Sequence, residues 1–500
     1  MHRPLEALMV VRPRTHGRAL VVAAAVAALV ATGMPTGAHA ATGPRAGLVG
    51  SPLLLQDNTQ LHGYDVAVDG AGTAYIGWIA DDSASASATR KVRFCTLPPN
   101  STACAGGVQV IDALGPSSAA GLRVLATAGG TVTLVWFHDT DPGSVTGPRG
   151  GRIAVATSQA GGPLSAATDV ADAPSFGQLL DAQLGPGDAL WTIAYKGVGT
   201  TEIEVRAGVA NAPQTVTVPY SVATTRLAFA GSTPVIAAQQ YGAVSTPINA
   251  AFGTGGGWSG FAPVANTWSV GSLGLAAATS GVRLVAAIAN ASYIPVVSRF
   301  TGSGFTRPTP TGDRNSCAPS SHDLVADASG RLADVSNECG QITVANMAGA
   351  GRAGLVRFAA GGTVADGDPQ IASTPRGHAR VAWSIQSTTG NKLLVGHVLL
   401  PALERAVAKK SRQGKVTVKG PASCLPASTV AVAVRARPAR GWATGAKSLR
   451  LDGKRVRSSL NGARLAPGST HVLTGRVVFS RGGQAVARTV KLSFRSCANP

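Results

Sequence analysis

The sequence predicts an all-β fold built from a repeated unit of short strands. Its 500 residues include 62 glycines and 30 prolines, a content that suits many tight turns and disfavours long helices. Hydrophobic residues make up 45% of the chain and charged residues 14%, values that exclude a disordered chain and a coiled coil. Apolar and polar residues alternate with the period of two that marks strands, and no helical period of 3.6 residues is found.

The N-terminal 40 residues predict a secretory signal peptide. Four arginines between Arg3 and Arg18 precede an apolar stretch at 19–34, and Ala38 and Ala40 frame a small-residue cleavage site. A transmembrane anchor is the alternative, but the stretch is short for a bilayer span. We therefore expect cleavage after Ala40 and a secreted protein, either extracellular or associated with the cell wall.

A unit of strand, glycine turn and strand recurs through residues 46–400. The first copy runs through Gly72 to Trp78 and has predicted strands at 62–69, 73–80, 91–97 and 108–114. The turn glycines of the seven copies are Gly72, Gly130, Gly187, Gly231, Gly281, Gly330 and Gly377. Because a unit of about 50 residues with four short strands is typical of a propeller blade, the repeat predicts a seven-bladed β-propeller.

Ring closure is predicted for the two ends of this repeat. An apolar stretch at 48–56 precedes the first unit, and the last unit reaches residue 400 with one strand too few. We expect 48–56 to supply the outer strand of the seventh blade, because pairing the chain ends removes an exposed sheet edge. Trp78, Trp136 and Trp383 hold equivalent repeat positions, where we expect them to pack the blades.

Positive charge is concentrated in the C-terminal 100 residues. Residues 401–500 hold 20 basic and 2 acidic side chains, whereas residues 41–400 hold 20 basic and 21 acidic. We expect a linker at 401–414 and short antiparallel strands at 415–500. With Cys424 and Cys497 near its two ends, this last segment resembles an immunoglobulin-like β-sandwich. The resemblance is to the fold alone, since Trp442 lies in a glycine-rich loop and not at the strand position that antibody domains use.

Clustered cations in this segment predict a surface patch with a salt-sensitive attraction for an anionic cell-wall polymer or glycan. The residues of the predicted patch are Arg435, Arg437, Lys454, Arg455 and Arg457. The alternative is that these side chains only keep exposed strand faces soluble. Aromatic residues that would stack on bases are nearly absent here, so we expect no specific binding of nucleic acid.

Six cysteines fit an oxidising compartment and predict three disulfide bonds. The expected pairs are Cys95 with Cys104, Cys317 with Cys339, and Cys424 with Cys497. The first two pairs are centred on turn sequences, which brings each pair together as the legs of a hairpin. A metal site is the alternative, but the spacing lacks Cys-x-x-Cys and nearby His ligands. We expect neither a metal nor a cofactor.

A ligand site is expected around the central channel, where the inner strands of a propeller begin. The candidate residues are His62, Asp65, Arg123, Gln178, Arg226, His322, Asp323 and Asp368. Together they would suit a small polar ligand or a protein partner. The alternative, which the sequence favours, is that these side chains only cap the inner strands.

The repeat, with Asp and Gly at hairpin turns such as Asp69–Gly72, resembles the propeller superfold of sialidases. That resemblance implies an arginine cluster, a Tyr–Glu pair and a further acid in a glycan-cleaving site. The Ser-x-Asp-x-Gly-x-x-Trp box of the family is not matched. Only four glutamates follow residue 40, and none stands in a catalytic pattern: Glu202, Glu204, Glu338 and Glu404.

The sequence therefore favours a secreted, monomeric, non-enzymatic binding protein that its basic C-terminal domain holds at an anionic cell envelope. A sialidase-like hydrolase or lyase acting on glycans is the alternative. A purely structural surface protein is a third interpretation.

Overall fold

The computed structural model describes residues 46–496 apart from these segments: 83–88, 100, 113–119, 140–150, 160, 171–178, 196–200, 241–245, 268–272, 279–280, 291, 312–321, 328–330, 349–350, 365–368, 375–376, 389, 401–403, 423 and 426–428. The signal peptide predicted at 1–40 lies outside the described residues. Within these ranges, no helix has the length and apolar character needed to cross a bilayer.

The described chain is all-β, with two short 3-10 turns at Pro186–Asp188 and Gly462–Arg464. It begins with β1 (Gly47–Leu48) and β2 (Leu53–Thr59). The first sheet contains β3 (Leu61–Val68), β4 (Ala74–Asp81), β5 (Arg90–Leu97) and β6 (Gln109–Asp112). The second contains β7 (Ala120–Ala126), β8 (Val132–Asp139), β9 (Gly151–Ser158) and β10 (Thr168–Asp169). The third contains β11 (Leu179–Leu184), β12 (Leu190–Tyr195), β13 (Glu202–Ala207) and β14 (Gln214–Thr217).

Four further sheets follow the same antiparallel order. The fourth contains β15 (Val222–Ala230), β16 (Thr233–Gln240), β17 (Thr246–Thr254), β18 (Gly257–Trp258) and β19 (Ala262–Thr267). The fifth contains β20 (Leu273–Ala278), β21 (Gly281–Asn290), β22 (Ser292–Arg299) and β23 (Thr309–Pro310). The sixth contains β24 (His322–Ala326), β25 (Leu332–Glu338), β26 (Gln341–Ala348) and β27 (Gly351–Ala359). The seventh contains β28 (Gln370–Ser373), β29 (His378–Ser387) and β30 (Gly390–Leu399).

The first strands of consecutive sheets contact one another in chain order, and β28 contacts β3. These contacts form a closed cycle. The N-terminal strands complete the seventh sheet, since β2 and β1 both pair with β30, in registers such as Leu53 with Val395 and Gly47 with Leu399. This is the outer position to which the sequence analysis assigned residues 48–56, and it joins the two ends of the repeat.

The glycine turns and the buried tryptophans explain why the unit folds this way. Gly72 has a φ of 87° and Gly130 a φ of 84°, a left-handed conformation that favours glycine in a tight turn. Trp78, Trp136 and Trp383 are fully buried, and each packs in a cluster that includes side chains from the preceding sheet of the cycle. Their predicted role in packing is confirmed. Gly330 lies outside the described residues.

The C-terminal strands form three further sheets. The strands are β31 (Glu404–Ser411), β32 (Gly414–Pro421), β33 (Cys424–Leu425), β34 (Thr429–Ala431), β35 (Ala433–Pro438), β36 (Ala443–Leu451), β37 (Lys454–Arg455), β38 (Ser459–Asn461), β39 (Thr470–Arg481) and β40 (Gln484–Ser496). A three-stranded sheet has the order β31-β32-β35, a five-stranded sheet has β33-β40-β39-β36-β37, and β34 pairs with β38. The core contains Val418, Leu473, Phe479 and Leu492.

One expectation about this segment is corrected by the structure. Residues 404–411, placed in a linker by the sequence analysis, form β31 and pair with β32 along their whole length. Val407 packs against the core from this strand, although the basic residues around it hide the strand pattern in the sequence.

The first predicted disulfide is present, and it joins Cys95 to Cys104 with 5.3 Å between their Cα atoms. Cys339 is disulfide-bonded, but Cys317 lies outside the described residues. Cys497 lies outside them as well. The pairings of Cys317 with Cys339 and of Cys424 with Cys497 therefore stay predictions.

Candidate functional site

Two adjoining cavities lie along the first strands of the sheets. The smaller, of about 270 Å³, is lined by the beginnings of these strands, including His62 and Thr224; we name it the strand-start cavity. The larger, of about 390 Å³, is lined by residues further along the same strands; we name it the strand-end cavity. Arg123, Arg226 and Gln370 line both cavities, so the two meet at these side chains.

A ring of polar side chains stands where the cavities meet. Six of the seven first strands contribute one member each, and we name the set the polar ring: Asp65, Arg123, Asp181, Arg226, Asp323 and Gln370. The fifth sheet has Gly274 at this position. A Cβ atom there would lie 2.8 Å from the Cβ of Leu324, so glycine allows the close approach of the fifth and sixth sheets.

The three carboxylates of the polar ring tie the first, third and sixth sheets each to the following sheet. Each accepts a hydrogen bond from a backbone N–H of the following sheet: Val124 to Asp65 at 2.8 Å, Leu227 to Asp181 at 2.6 Å, and Ile371 to Asp323 at 2.9 Å. Arg123 adds a bridge between the second and third sheets, because its Nε donates to Asp181 Oδ1 at 2.8 Å. The ring therefore has a structural role in addition to lining the two cavities, which together we name the channel.

Burial and neighbouring charges shift the protonation of the ring. Burial raises the pKa of Asp65 to about 7, against the opposing effects of Arg123 and the Val124 N–H. Burial likewise raises the pKa of Asp323, opposed chiefly by Arg226. Burial lowers the pKa of the Arg123 guanidinium, but the carboxylates of Asp181 and Asp65 outweigh it and the net shift is upward. Around neutral pH, Asp65 is thus partly protonated.

Arg226 is the second cation of the ring. One terminal nitrogen donates to the backbone oxygen of Thr225 at 3.1 Å and to Thr224 Oγ1 at 3.2 Å. The side chain is buried, and its Nε has no hydrogen-bond partner among the described residues. Leaving a buried donor unpaired is costly, so a side-chain movement that brings this nitrogen to an anion in the cavity would be favourable.

His62 faces the strand-start cavity at the beginning of β3. Its Nε2 lies 2.7 Å from Asp81 Oδ1, a contact that orients the imidazole and leaves Nδ1 as the second ring nitrogen. Burial lowers the pKa of His62, and the hydrogen bond to Asp81 opposes this shift. A lowered pKa keeps the imidazole neutral at neutral pH, the form in which histidine accepts a proton.

The structure brings five of the eight predicted site residues to these cavities. Asp65, Arg123, Arg226 and Asp323 belong to the polar ring, and His62 lines the strand-start cavity. Gln178 and Asp368 lie outside the described residues.

His322 is the eighth predicted site residue. It is fully buried, lines neither cavity, and its Nδ1 lies 2.9 Å from Asp334 Oδ1. Because successive side chains of a strand point to opposite faces, the residue next to Asp323 points away from the channel.

Two members of the polar ring, Asp181 and Gln370, were missed by the sequence analysis. Each directly precedes a small or apolar residue of a first strand, Ala182 or Ile371, as Asp65 precedes Val66. The available signal was this shared pattern, a polar side chain directly followed by a small or apolar one.

The five cations predicted as one basic patch lie on different strands of different sheets. Arg435 and Arg437 belong to β35 in the three-stranded sheet, whereas Lys454 and Arg455 form β37 in the five-stranded sheet. Arg457 follows β37. These cations therefore belong to two sheets, and their binding of an anionic surface stays a prediction.

Within the described ranges, no group of three or more His, Cys, Asp or Glu side chains is placed to hold a metal ion.

Comparison with known proteins gives similarities in structure only. No family model and no curated protein matches the chain. Among solved structures, the polysaccharide lyase Uly1 is similar at 10% identity and a TM-score of 0.45, over 73% of this chain and 94% of that chain. An ulvan lyase bound to -[GlcA(1-4)Rha3S]- is similar at 11% identity and a TM-score of 0.41, over 70% and 94%. The NanB sialidase from Streptococcus pneumoniae is similar at 7% identity and a TM-score of 0.40, over 59% and 67%.

Proposed function

We propose that the protein is a glycan-active enzyme that cleaves a carboxylated polysaccharide at the strand-start cavity. One observation supports this proposal above the others. A neutral imidazole oriented by a carboxylate, His62 with Asp81, lines the same cavity of about 270 Å³ as the guanidinium of Arg226, which has an unpartnered nitrogen. A base and an anion-binding cation within one cavity are the groups that act on a carbon next to a carboxylate.

The chemistry that suits this pair is elimination. Arg226 binds the carboxylate of a uronate residue and neutralises its charge, which makes the hydrogen on the adjacent carbon more acidic. His62 accepts that proton, and the electron pair released forms a carbon–carbon double bond as the glycosidic carbon–oxygen bond breaks. The leaving oxygen takes a proton from water, and His62 later returns its own to solvent. One glycosidic bond is replaced by one double bond, with no net oxidation.

The test is formation of an unsaturated product from uronate-containing polysaccharides, followed by the ultraviolet absorbance of the conjugated double bond. We expect His62→Gln to lower the rate by at least about 100-fold, the usual contribution of a general base. His138→Gln is a matched control, because His138 Nε2 also lies 2.7 Å from an Asp oxygen but lines neither cavity. Unchanged turnover in the His62 variant, or sugar release without a double bond, would overturn the elimination chemistry.

Binding without catalysis is the second candidate function. The polar ring favours it, because Arg123 is held by Asp181 and the ring carboxylates already accept backbone N–H groups. Under this alternative, uronate oligosaccharides bind in calorimetry, no polysaccharide is cleaved, and Arg226→Gln abolishes the binding heat.

The finer description of the fold belongs to the same proposal. We propose that the seven sheets are the blades of a closed propeller and that the C-terminal sheets are an immunoglobulin-like sandwich. The contact of β28 with β3, which closes the cycle of first strands, supports the propeller. The packed core around Val418 and Phe479 supports the sandwich. Secretion is tested by sequencing the N-terminus of protein recovered from culture medium, which we expect to begin at Ala41.

A further inference from the structure

A row of three cations crosses the outer face of the three-stranded sheet. Lys410 of β31 is the direct partner of Lys415 of β32, and Lys415 is the direct partner of Arg437 of β35. All three side chains are exposed. Arg435, also exposed, stands on the same face two residues along from Arg437. We name Lys410, Lys415, Arg435 and Arg437 the basic row.

The alternation of β32 fixes the direction of these side chains. Val416 and Val418 are fully buried in the core between the sheets. Lys415 precedes Val416 and therefore points to the opposite, solvent-facing side. Its direct partners share that face, so the Cβ atoms of neighbouring cations lie about 4.5–5.5 Å apart across the strands.

Such a row is unfavourable in isolation, because like charges directly opposite one another destabilise a sheet. Within the described part of the chain, none of the four cations has a carboxylate partner. Glu404, the acidic residue of the same sheet, is bound by Lys419 at the other end of β32. An anion lying across the row would relieve this repulsion, so the uncompensated charge points to a ligand.

The outer face of the five-stranded sheet is arranged differently. There, hydroxyl side chains separate the cations, since Arg476 is directly opposite Thr489 and Lys491 is directly opposite Thr474. This face has comparable charge without a continuous row, and it provides a matched control.

The residues of the three-stranded sheet indicate which class of anion the basic row binds. The strands β31, β32 and β35 contain no aromatic residue, so bases of a nucleic acid have no stacking partner. None of the exposed large hydrophobic residues among the described ones lies C-terminal to Val209, so this face offers no apolar side chain to insert into a bilayer. With nucleic acid and a lipid bilayer disfavoured, the class of ligand that fits is a hydrophilic polysaccharide with an anionic group on successive sugars.

We propose that the basic row is a binding surface for a linear anionic polysaccharide. The bound chain lies across β31, β32 and β35, and its anionic groups pair with the cations on successive strands. This surface is separate in residues from the strand-start cavity, and the proposal does not depend on catalysis there. It gives the protein a second contact with an anionic polymer.

The experiment measures retention and affinity of the full chain on polygalacturonate, with neutral dextran as the uncharged comparison. We expect Lys415→Gln combined with Arg437→Gln to weaken the Kd for polygalacturonate by about 30-fold at low salt. The matched control, Arg476→Gln combined with Lys491→Gln, removes the same two charges and should weaken the Kd by less than about threefold. Added salt should weaken the wild-type complex far more than the complex of the row variant.

Two further readouts separate binding from folding and from the channel. Removing the facing charges should leave the urea midpoint unchanged or raise it, so lost affinity with an intact midpoint supports the proposal. Retention is also measured in an Arg226→Gln background, where the strand-start cavity lacks its anion-binding guanidinium, so an affinity loss caused there by the row substitutions belongs to this surface and not to the cavity. Equal losses of affinity for polygalacturonate in the row variant and in its control would overturn the proposal. Tighter binding to single-stranded DNA or to phosphatidylglycerol vesicles than to polygalacturonate would overturn it as well.

Discussion

An Asp65→Asn substitution removes a buried ionisable group from the polar ring while keeping one oxygen to accept the Val124 N–H. In the unfolded chain this carboxyl has a pKa near 3.8, and burial raises the pKa to about 7 in the fold. Because the folded pKa is the higher one, folding takes up a proton between these values, and stability falls as pH rises. The charge on Asp65 therefore opposes folding at alkaline pH, and an amide carries no such charge.

The size of this effect follows from the shift. Between pH 5 and pH 8, linkage through the two pKa values removes about 2–3 kcal/mol from the free energy of unfolding, at about 1.36 kcal/mol per pKa unit. Asp65 is 8% exposed, so solvent screening reduces this little. Wild type should lose about 2–3 kcal/mol more than Asp65→Asn over this pH interval.

Urea unfolding at pH 5 and pH 8, at matched ionic strength, measures this difference. The buried Trp78, Trp136 and Trp383 provide the fluorescence signal. If the free energy of unfolding depends on pH equally in the wild type and the variant, then Asp65 has the same pKa in the folded and unfolded states, contrary to this prediction.

Three further predictions concern the framework around the site. Gly274→Ala should lower the free energy of unfolding by about 1–3 kcal/mol, because the added Cβ would lie 2.8 Å from Leu324 of the neighbouring sheet. Gly255→Ala is the control, since a Cβ there has no atom within 4 Å and should leave the stability unchanged in the same urea titration. Replacing Cys95 and Cys104 together by Ala should cost about 2–3 kcal/mol, as expected for the short loop that they close, and equal urea midpoints would count against this. Deleting residues 46–59 should expose the edge of β30, lowering the urea midpoint and raising light scattering; an unaffected protein would show that the closing strands are dispensable.

The repeat and its strands were predictable because their signals are local. Alternation and a turn glycine located the strands of the first unit to within two residues of the observed β3, β4, β5 and β6. The same signals identify the tryptophans that pack the sheets. Alternation and turn glycines do not detect a strand such as β31, because Val407 is its one strongly apolar side chain among basic residues.

The polar ring was predictable only in part, because the register changes within the first strands. The pairing of β3, β7, β11 and β15 with their neighbours shifts near the start of each strand, as between Leu179 and Asp181. Such a bulge adds one residue and reverses which side chains point to the channel. The expected site at the strand beginnings included Gln178, which lies outside the described residues, and it did not include Asp181. The hydrogen bond from the Leu227 N–H to Asp181 depends on how closely two consecutive sheets approach, which the sequence does not specify.

A crystal structure of the His62→Gln variant with a bound uronate oligosaccharide would show whether Arg226 and His62 act on the same sugar. We expect a uronate carboxylate on the guanidinium of Arg226, with the carbon next to that carboxylate facing position 62. A saccharide bound elsewhere, or one whose carboxylate turns away from Arg226 toward solvent, would contradict this expectation.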